Sequence, residues 1–378
     1  MGRVATEVWG DSMKTVRLST PVQMLFALLR ASLHEQKVET QLFELATDEE
    51  WAACYHLAAS QGVMALAWDG VMTLPAELMP SRKLKLTWAS GVVAYEEVYK
   101  RYCHTAVELS GYYAEHGVQM MQLKGVGFST LYPNPMHREG GDIDIYTYAA
   151  NPSAMSDKEA NTLADELMRG QGIEVNTTNP KHSEFYYKGI PIENHKTFLN
   201  VETYEAAVQV EQALRDNMQP MSTMLGSGKV LTPSPVFNML FIAFHACQHY
   251  GSGLALHHLC DWVMILKRYG LHMPESVTDK GFLDGVAALT MLCNEYLGTR
   301  VEVAADESLA ANMLGEILHQ RFEAEVPTKN KVGIIVYKTR RLLYTHRLKN
   351  RVIYSPLWKR VWTSFIAHLR EPKTIFSR

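Results

Sequence analysis

Two carboxylates stand two residues apart in this 378-residue chain, in the run Gly140-Gly141-Asp142-Ile143-Asp144-Ile145. The alternation of acidic and β-branched residues predicts a strand, in which residues i and i+2 face the same side. Asp142 and Asp144 are therefore expected side by side, with the isoleucines in a core. Carboxylates this close repel each other unless a cation lies between them, and hard oxygen ligands suit Mg²⁺ or Mn²⁺. The spacing predicts metal-bridged phosphate chemistry, with a solvated acidic pair in a turn as the alternative.

The segment before this pair predicts an anion-binding turn. Residues 118–123 form a short apolar run typical of a buried strand, and Gly125 and Gly127 follow in a turn. The first turns of a helix are expected from Gly127 to Tyr132, before Pro133. Backbone N–H groups at such a strand-to-helix turn point toward an anion, so a phosphate is the expected ligand.

A third acid follows on a later predicted strand. Residues 184–188 and 190–195 read as two strands joined at Lys188-Gly189, and the second carries Glu193 between an isoleucine and the polar pair Asn194-His195. A phosphate turn, an Asp-x-Asp strand and a later strand acid are the parts of a nucleotidyl-transfer site.

The run from Leu123 to Ile145 resembles the DNA polymerase β-like nucleotidyltransferase superfamily. It is most similar to an uncharacterised bacterial branch with a Lys-Gly turn, a Tyr-Pro stop, an arginine and the sequence Gly-Asp-Ile-Asp-Ile. By this resemblance Glu193 takes the place of the third carboxylate, and His195 that of a histidine frequent in the branch. Val126 departs from the usual Gly or Ser, which leaves the phosphate contact to backbone N–H groups without a hydroxyl.

The resemblance implies a metal-dependent nucleotidyltransferase that transfers NMP from an NTP to a hydroxyl acceptor with release of pyrophosphate. Asp142 and Asp144 would bind two divalent ions, Mg²⁺ or Mn²⁺, and Glu193 would complete the second site or take the proton of the acceptor hydroxyl. The acceptor stays open between a tRNA, a protein hydroxyl, an antibiotic and a sugar.

Four further residues are expected to bind substrate. Gly125 and the following N–H groups would hold the triphosphate, Lys124 and Arg138 would neutralise its charge, and His195 would contact substrate. The alternatives are solvent exposure for Lys124 and a structural salt bridge to the Asp strand for Arg138.

The elements around these motifs predict an α+β fold, with a mixed β-sheet nucleotidyltransferase core flanked by an N-terminal helical region and a C-terminal helical domain. The expected divisions are 1–115 (helical region), 116–203 (α/β core), 204–328 (helical domain) and 329–378 (basic aromatic helical tail). Helices are expected near 20–33, 47–60, 81–116, 156–170, 205–217, 235–250, 254–268, 284–297 and 309–324.

Composition permits this reading. The chain is 47% hydrophobic and 20% charged, enough to bury a large core. No apolar run is long enough for a transmembrane helix and no signal peptide is recognisable, so a cytoplasmic protein is expected. The cysteines are odd in number and widely spaced, which predicts reduced core thiols: Cys54, Cys103, Cys247, Cys260 and Cys293.

A second polar cluster lies on two predicted helices. His245 and His249 are four residues apart and share a helix face, and His257 and Asp261, with His258, repeat the spacing on the next helix. Three interpretations stay open: a transition-metal site, a hydrogen-bonded His–Asp network that braces the helices, and contact with substrate.

Charge is concentrated at the C-terminal end. Residues 329–378 hold thirteen Lys or Arg and one acid, a net charge of +12, whereas the whole chain carries −3. Aromatic residues are interleaved with these charges. RNA binding, an acidic membrane face, or an amphipathic end packed on the acidic body are the alternatives. Two other function classes therefore stay open, a catalytically degenerate nucleotide-binding protein and an RNA- or membrane-associated interaction protein.

Overall fold

The computed structural model describes residues 16–319 and 330–370. The start of the predicted N-terminal region, the end of the predicted helix 309–324, and residues 329 and 371–378 of the basic tail lie outside the described residues. The N-terminal helices are α1 (Thr20–His34), α2 (Asp48–Ser60), α3 (Met64–Val71) and α4 (Arg82–Glu115).

The N-terminal helices form where the sequence places them, except for α3, which the sequence does not predict. At the start of α2 a capping box is present, because the Glu50 N–H donates to Thr47 Oγ1 and the Thr47 N–H donates to the Glu50 carboxylate. The run 81–116, expected as one or two helices, is one continuous helix of 34 residues.

A seven-stranded mixed sheet forms the centre of the described part of the chain, in the order β3-β4-β5-β2-β1-β7-β6. Between its strands lie α5 (Val126–Ser129) and α6 (Asp157–Gly170). The strands are β1 (Val118–Gln122), β2 (Ile143–Ala149), β3 (Val175–Asn176), β4 (His182–Tyr187), β5 (Ile190–His195), β6 (Met221–Leu225) and β7 (Gly228–Thr232). With helices on both sides in sequence, the α+β class is confirmed.

The register of β2 and β5 positions the site. These strands run parallel, with Asp144 opposite Glu193 and Tyr146 opposite His195. The side chain of Asn161, on α6, donates to Thr147 Oγ1 on β2 and to Asn194 Oδ1 on β5, and so ties the two strands together below the site. Strands β4 and β5 form the hairpin that the sequence predicts, and its turn places Lys188 and Gly189 at positive φ.

Two local expectations were wrong in detail. The sequence predicts only helices between 204 and 328, but β6 and β7 form a hairpin there that extends the sheet beyond β1. The strands of this hairpin are short and most residues of β6 are exposed, so the strand pattern is weaker than the helical periodicity of the flanking segments. The helix expected from Gly127 to Tyr132 ends at Ser129, because the chain turns there toward Pro133 and Pro135.

The C-terminal helices are α7 (Glu205–Asp216), α8 (Pro235–His249), α9 (Leu256–Tyr269), α10 (Lys280–Leu297), α11 (Glu307–Leu318), α12 (Lys331–Lys349) and α13 (Leu357–Arg370). A large apolar core joins α1, α8, α9 and α10, and a second one lies between the sheet, α4 and α6. All five cysteines are buried and free, as expected. Among the described residues, no helix combines the length and apolar character needed to span a bilayer.

Candidate active site

Three carboxylates converge at one end of β2 and β5. One oxygen each from Asp142, Asp144 and Glu193 can be chosen so that all three lie within 4.8 Å of one another. Asp144 is buried, whereas the side chains of Asp142 and Glu193 are 34% and 27% exposed. The structure therefore brings together the three acids that the sequence predicts, with an opening toward solvent on one side.

Lys124 lies against these acids. Its Nζ is 3.1 Å from Asp144 Oδ2 and 3.9 Å from Asp142 Oδ2, and its side chain is largely buried. Burial alone would lower the pKa of Lys124, but the neighbouring carboxylates outweigh it and raise the pKa. Solvent exposure, the alternative for this residue, is excluded by the geometry, and Lys124 carries a permanent positive charge into the site.

Two histidines hold the acids from the β4–β5 side. His195 Nε2 lies 3.0 Å from Asp144 Oδ1 and 3.6 Å from Glu193 Oε2. His182 Nδ1 lies 2.7 Å from Glu193 Oε2. His182 was not predicted as a site residue, because the strand was expected to start at residue 184, yet it starts at His182 and pairs that residue with His195. His195 thus contacts two of the carboxylates directly.

The three acids differ in proton affinity. Burial, together with the charge of Asp144, raises the pKa of Asp142 to about 6. For Asp144, burial is outweighed by Lys124 and His195, which hold its pKa well below the usual range. For Glu193, burial is likewise outweighed by the neighbouring His182 and His195 rings, and its pKa falls to about 2. Asp144 and Glu193 are therefore carboxylates at neutral pH.

Lys181, a second lysine beside the site, was also missed. It is partly buried, and burial lowers its pKa while the carboxylates of Asp144 and Glu193 act in the opposite direction. In the sequence, Lys181 could have been recognised from its position next to His182, directly before β4. With Lys124 it places two cationic side chains around three acids.

The predicted phosphate-binding turn presents fewer backbone N–H groups to a ligand than the sequence suggests. Gly125 has φ +68°, and a Cβ there would lie 3.2 Å from the Asp142 carbonyl oxygen, so this position needs glycine. The helix α5 that follows is four residues long. The Gly127 N–H donates to Gln122 Oε1 at 3.0 Å and is not presented to a ligand. Lys124 therefore contributes more to the charge of this corner than the backbone does.

Arg138 is bound within the protein. Its Nε and Nη2 each donate to the Asp261 carboxylate at 2.8 Å, and its Nη1 lies 3.3 Å from the Gly125 carbonyl oxygen. The Tyr132 hydroxyl donates to the same carboxylate at 2.6 Å. The salt bridge considered as an alternative exists, but with Asp261 on α9 rather than with the Asp strand. Substrate contact by Arg138 stays a prediction.

The histidine cluster on α8 and α9 adjoins this site. Nitrogens of His245, His249 and His258 lie within 4.8 Å of one another. Burial, followed by neighbouring positive charges that include Lys124, lowers the pKa of His245, and burial with Lys349 and Lys124 lowers that of His249 to about 4. The rings are therefore neutral at pH 7.

Two of the interpretations of this cluster can be tested against the geometry. Asp261 is engaged by Arg138 and Tyr132, so the expected His–Asp network does not form around it. His258 Nδ1 accepts the Ala255 N–H at 3.1 Å, which places the proton of the neutral ring on Nε2. That nitrogen is buried without a hydrogen-bond partner among the described residues. A protonated Nε2 is a donor, not a metal ligand.

Comparison with protein families agrees with this arrangement. The chain belongs to a family described as uncharacterised nucleotidyltransferases, whose model matches residues 47–298. The match covers the carboxylate strands, the turn and the histidine helices, and it supports nucleotidyl transfer as the general activity. The bacterial branch and the superfamily stay predictions. No curated protein and no solved structure shows significant similarity to the chain.

Proposed function

We propose that this protein is a divalent-metal-dependent enzyme that transfers NMP from an NTP to a hydroxyl acceptor and releases pyrophosphate. The observation that carries the proposal is the convergence of Asp142, Asp144 and Glu193 within 4.8 Å. The acceptor hydroxyl would attack the α-phosphorus in line and lose its proton to solvent, forming the new P–O bond as the bond to pyrophosphate breaks.

The donor set fits Mg²⁺ or Mn²⁺. It consists of carboxylate oxygens, and Asp144 Oδ2 is buried with no hydrogen bond from any described residue, 3.1 Å from the Lys124 ammonium. A bound divalent ion would neutralise charge on the triphosphate and lower the pKa of the acceptor hydroxyl. Asp142, Asp144 and Glu193 are the residues proposed to hold it.

Of the two roles that the sequence leaves open for Glu193, metal ligation is favoured. A carboxylate whose pKa is lowered to about 2 is a weak base toward an alcohol. His182 Nδ1, 2.7 Å from Glu193 Oε2, also limits the positions open to the Glu193 side chain, as a close neighbour of a metal ligand does.

Lys124 and Lys181 are proposed to contact the phosphates. Their ammonium groups are held near the acids by burial and by charge, so they are oriented before substrate arrives. Donors oriented in advance stabilise the charge that develops on the leaving pyrophosphate more effectively than mobile ones. Arg138 is assigned a positioning role, because its guanidinium is occupied by Asp261 and the Gly125 carbonyl.

Calorimetric titration with each NTP, with and without Mg²⁺, tests donor binding. We expect Mg²⁺-dependent binding that Asp142→Asn weakens at least about tenfold, and that Glu166→Gln, an exposed acid on α6, leaves unchanged. Metal-independent binding of equal strength in both variants would contradict the metal assignment.

Incubation with labelled NTP, Mg²⁺ and a total cell extract, followed by fractionation, would then identify the acceptor. Release of pyrophosphate in that assay would exclude the degenerate alternative.

RNA contact through the C-terminal helices is a second candidate function. On α13 the side chains of Trp358, Trp362 and Phe365 are 66%, 59% and 50% exposed, beside Lys359. Exposed aromatic rings next to positive charges are the arrangement on which unpaired bases stack. These three aromatics are exposed, whereas other parts of the C-terminal segment pack on the rest of the protein, because Ile334, Val352 and Ile353 are buried and the Tyr344 hydroxyl donates to Glu316 on α11.

A further inference from the structure

The end of α12 carries a lysine that is buried without a counterion. Lys349 is 6% exposed, and among the described residues its ammonium makes no hydrogen bond or ion pair. Isolated buried charges are costly, and lysines are almost never buried unless they are paired. Such a side chain indicates either a neutral amine or an anion that is bound when the protein functions.

Arg360 on α13 stands next to this lysine. Its Nη2 lies 3.5 Å from Thr345 Oγ1, and its Nη1 is buried without a hydrogen-bond partner among the described residues. Thr345 and Lys349 are four residues apart on α12 and therefore share a helix face. Thr345, Lys349 and Arg360 therefore lie on the same side of the α12–α13 pair, and the charge of Arg360 acts on Lys349.

The local charge is positive. The pKa of Lys349 is lowered to about 7 by burial and then by Arg360 and Arg341. Burial lowers the pKa of Arg360, and the nearby Tyr204 hydroxyl acts in the opposite direction. Among the described residues, no carboxylate forms an ion pair with either Lys349 or Arg360. An anion bound between these two side chains would offset the cost of holding them together as cations.

This corner adjoins the candidate active site. Thr345 and Leu348 pack on Gly251, where an added Cβ would lie 2.9 Å from the Leu348 side chain and 3.5 Å from Thr345 Cα. Gly251 follows His249 by two residues. The pKa of His249 is lowered by burial and then by Lys349, Lys124 and other neighbouring cations. His249 therefore lies within electrostatic reach both of Lys349 on α12 and of Lys124 in the candidate active site.

We propose that Lys349 and Arg360 form a phosphate-binding pocket that extends the active site past His249. This inference deepens the proposed function and rests on it only for the identity of the substrates. The phosphate group has two sources in that reaction, the triphosphate of the donor and a phosphate on the acceptor. In the second case the acceptor is itself an anionic, phosphorylated molecule.

Binding of inorganic phosphate to the full-length protein, measured by calorimetry without divalent metal, tests the pocket. We expect saturable binding that weakens at least tenfold in Lys349→Met and in Arg360→Met. Arg347→Met, an exposed charge on the same helix, is the matched control and should bind as wild type. Lys349→Arg should retain most of the binding, which shows that charge rather than fold is responsible. Absence of saturable phosphate binding in wild type, or unchanged binding in Lys349→Met, would overturn the proposal.

Asp142→Asn separates this proposal from the proposed function. Phosphate binding should persist in that variant, whether or not the carboxylates support catalysis. The source of the phosphate follows from the Mg²⁺-dependent affinity for NTP. If the donor occupies the pocket, Lys349→Met weakens NTP binding by the same factor and phosphate competes with NTP. If the acceptor occupies it, NTP affinity is unchanged and the KM for the acceptor rises.

Discussion

At His258 a single hydrogen bond distinguishes two chemistries. Because Nδ1 accepts the Ala255 N–H, Nε2 carries the proton and cannot coordinate a metal ion. We therefore expect well below one zinc ion per chain in purified protein by elemental analysis, and no gain in thermal stability when Zn²⁺ is added. Stoichiometric zinc that is lost in His245→Ala would contradict this assignment and make the cluster a metal site.

Lys349 gives a second prediction at this scale, which concerns stability as a function of pH. Its native pKa of about 7 is below the ordinary value of 10.5. Between these values the unfolded chain binds a proton that the native protein does not, so this residue makes the free energy of unfolding rise with pH. Below pH 7 both states are protonated and the cost of the buried charge is complete. His249, with a pKa of about 4, does not titrate in this window.

The measurement is urea denaturation of wild type and Lys349→Met from pH 7 to pH 10.5. The variant should be more stable at pH 7, and its advantage should shrink by up to about 1.4 kcal/mol for each pH unit. Arg347→Met serves as the control and should follow wild type. A stability difference that does not change with pH would show that Lys349 stays charged in the native protein.

At the scale of elements, the ion pair between Arg138 and Asp261 joins the segment before β2 to α9. Asp261 receives three bonds, two from Arg138 and one from Tyr132. Asp261→Asn leaves the buried guanidinium without its counter-charge, and we expect a loss of about 3–5 kcal/mol in the free energy of unfolding. Chemical denaturation of the variant measures this loss.

The control for this prediction is the double variant Arg138→Met with Asp261→Leu, which removes both charges. It should lose less stability than Asp261→Asn alone, since no unpaired charge remains in the interior. If the stability loss of the double variant equals the sum of the losses in Arg138→Met and Asp261→Leu, the two residues are not coupled.

The sequence predicts the local elements of the site better than their partners. Alternation is enough to bring Asp142, directly before β2, and Asp144, on β2, side by side, and the Lys188-Gly189 turn is enough to place the hairpin that carries Glu193. The parallel pairing of β2 with β5 joins residues about fifty positions apart, and that pairing depends on tertiary packing. Asp261 lies 123 residues from Arg138, so no local pattern relates them. The β6–β7 hairpin was missed because flanking helices dominate its periodicity.

At the scale of the whole molecule, the C-terminal helices place their basic and aromatic residues in two environments, the interior and the surface. The end of α12 turns Lys349 inward, and α13 presents Trp358 and Trp362 outward. If α13 binds RNA, filter retention should fall steeply with salt, because phosphates release their counterions when they are neutralised. The double variant Trp358→Ala with Trp362→Ala should lose about 1–3 kcal/mol of RNA-binding free energy for each stacked base.

Leu45→Ala is the matched control for the tryptophan variants, because Leu45 is an exposed apolar side chain on the N-terminal part of the chain. It should leave RNA retention unchanged. Failure to retain RNA at low salt, or equal retention by the tryptophan variant, would count against RNA as the partner. Binding of anionic lipid vesicles that depends on the same tryptophans would assign the surface to a membrane face instead.

Asp142, directly before β2, Asp144 on β2 and Glu193 on β5 are proposed to catalyse metal-dependent nucleotidyl transfer. The most direct measurement is the rate at which label moves from α-labelled NTP to the acceptor fraction in the presence of Mg²⁺, for wild type, Asp142→Asn and Glu166→Gln. Loss of several kcal/mol of transition-state stabilisation predicts a rate at least about a thousandfold lower in Asp142→Asn. The Glu166→Gln control should transfer label like wild type. Transfer by Asp142→Asn at more than about a tenth of the wild-type rate, from a protein that folds normally, would contradict the account.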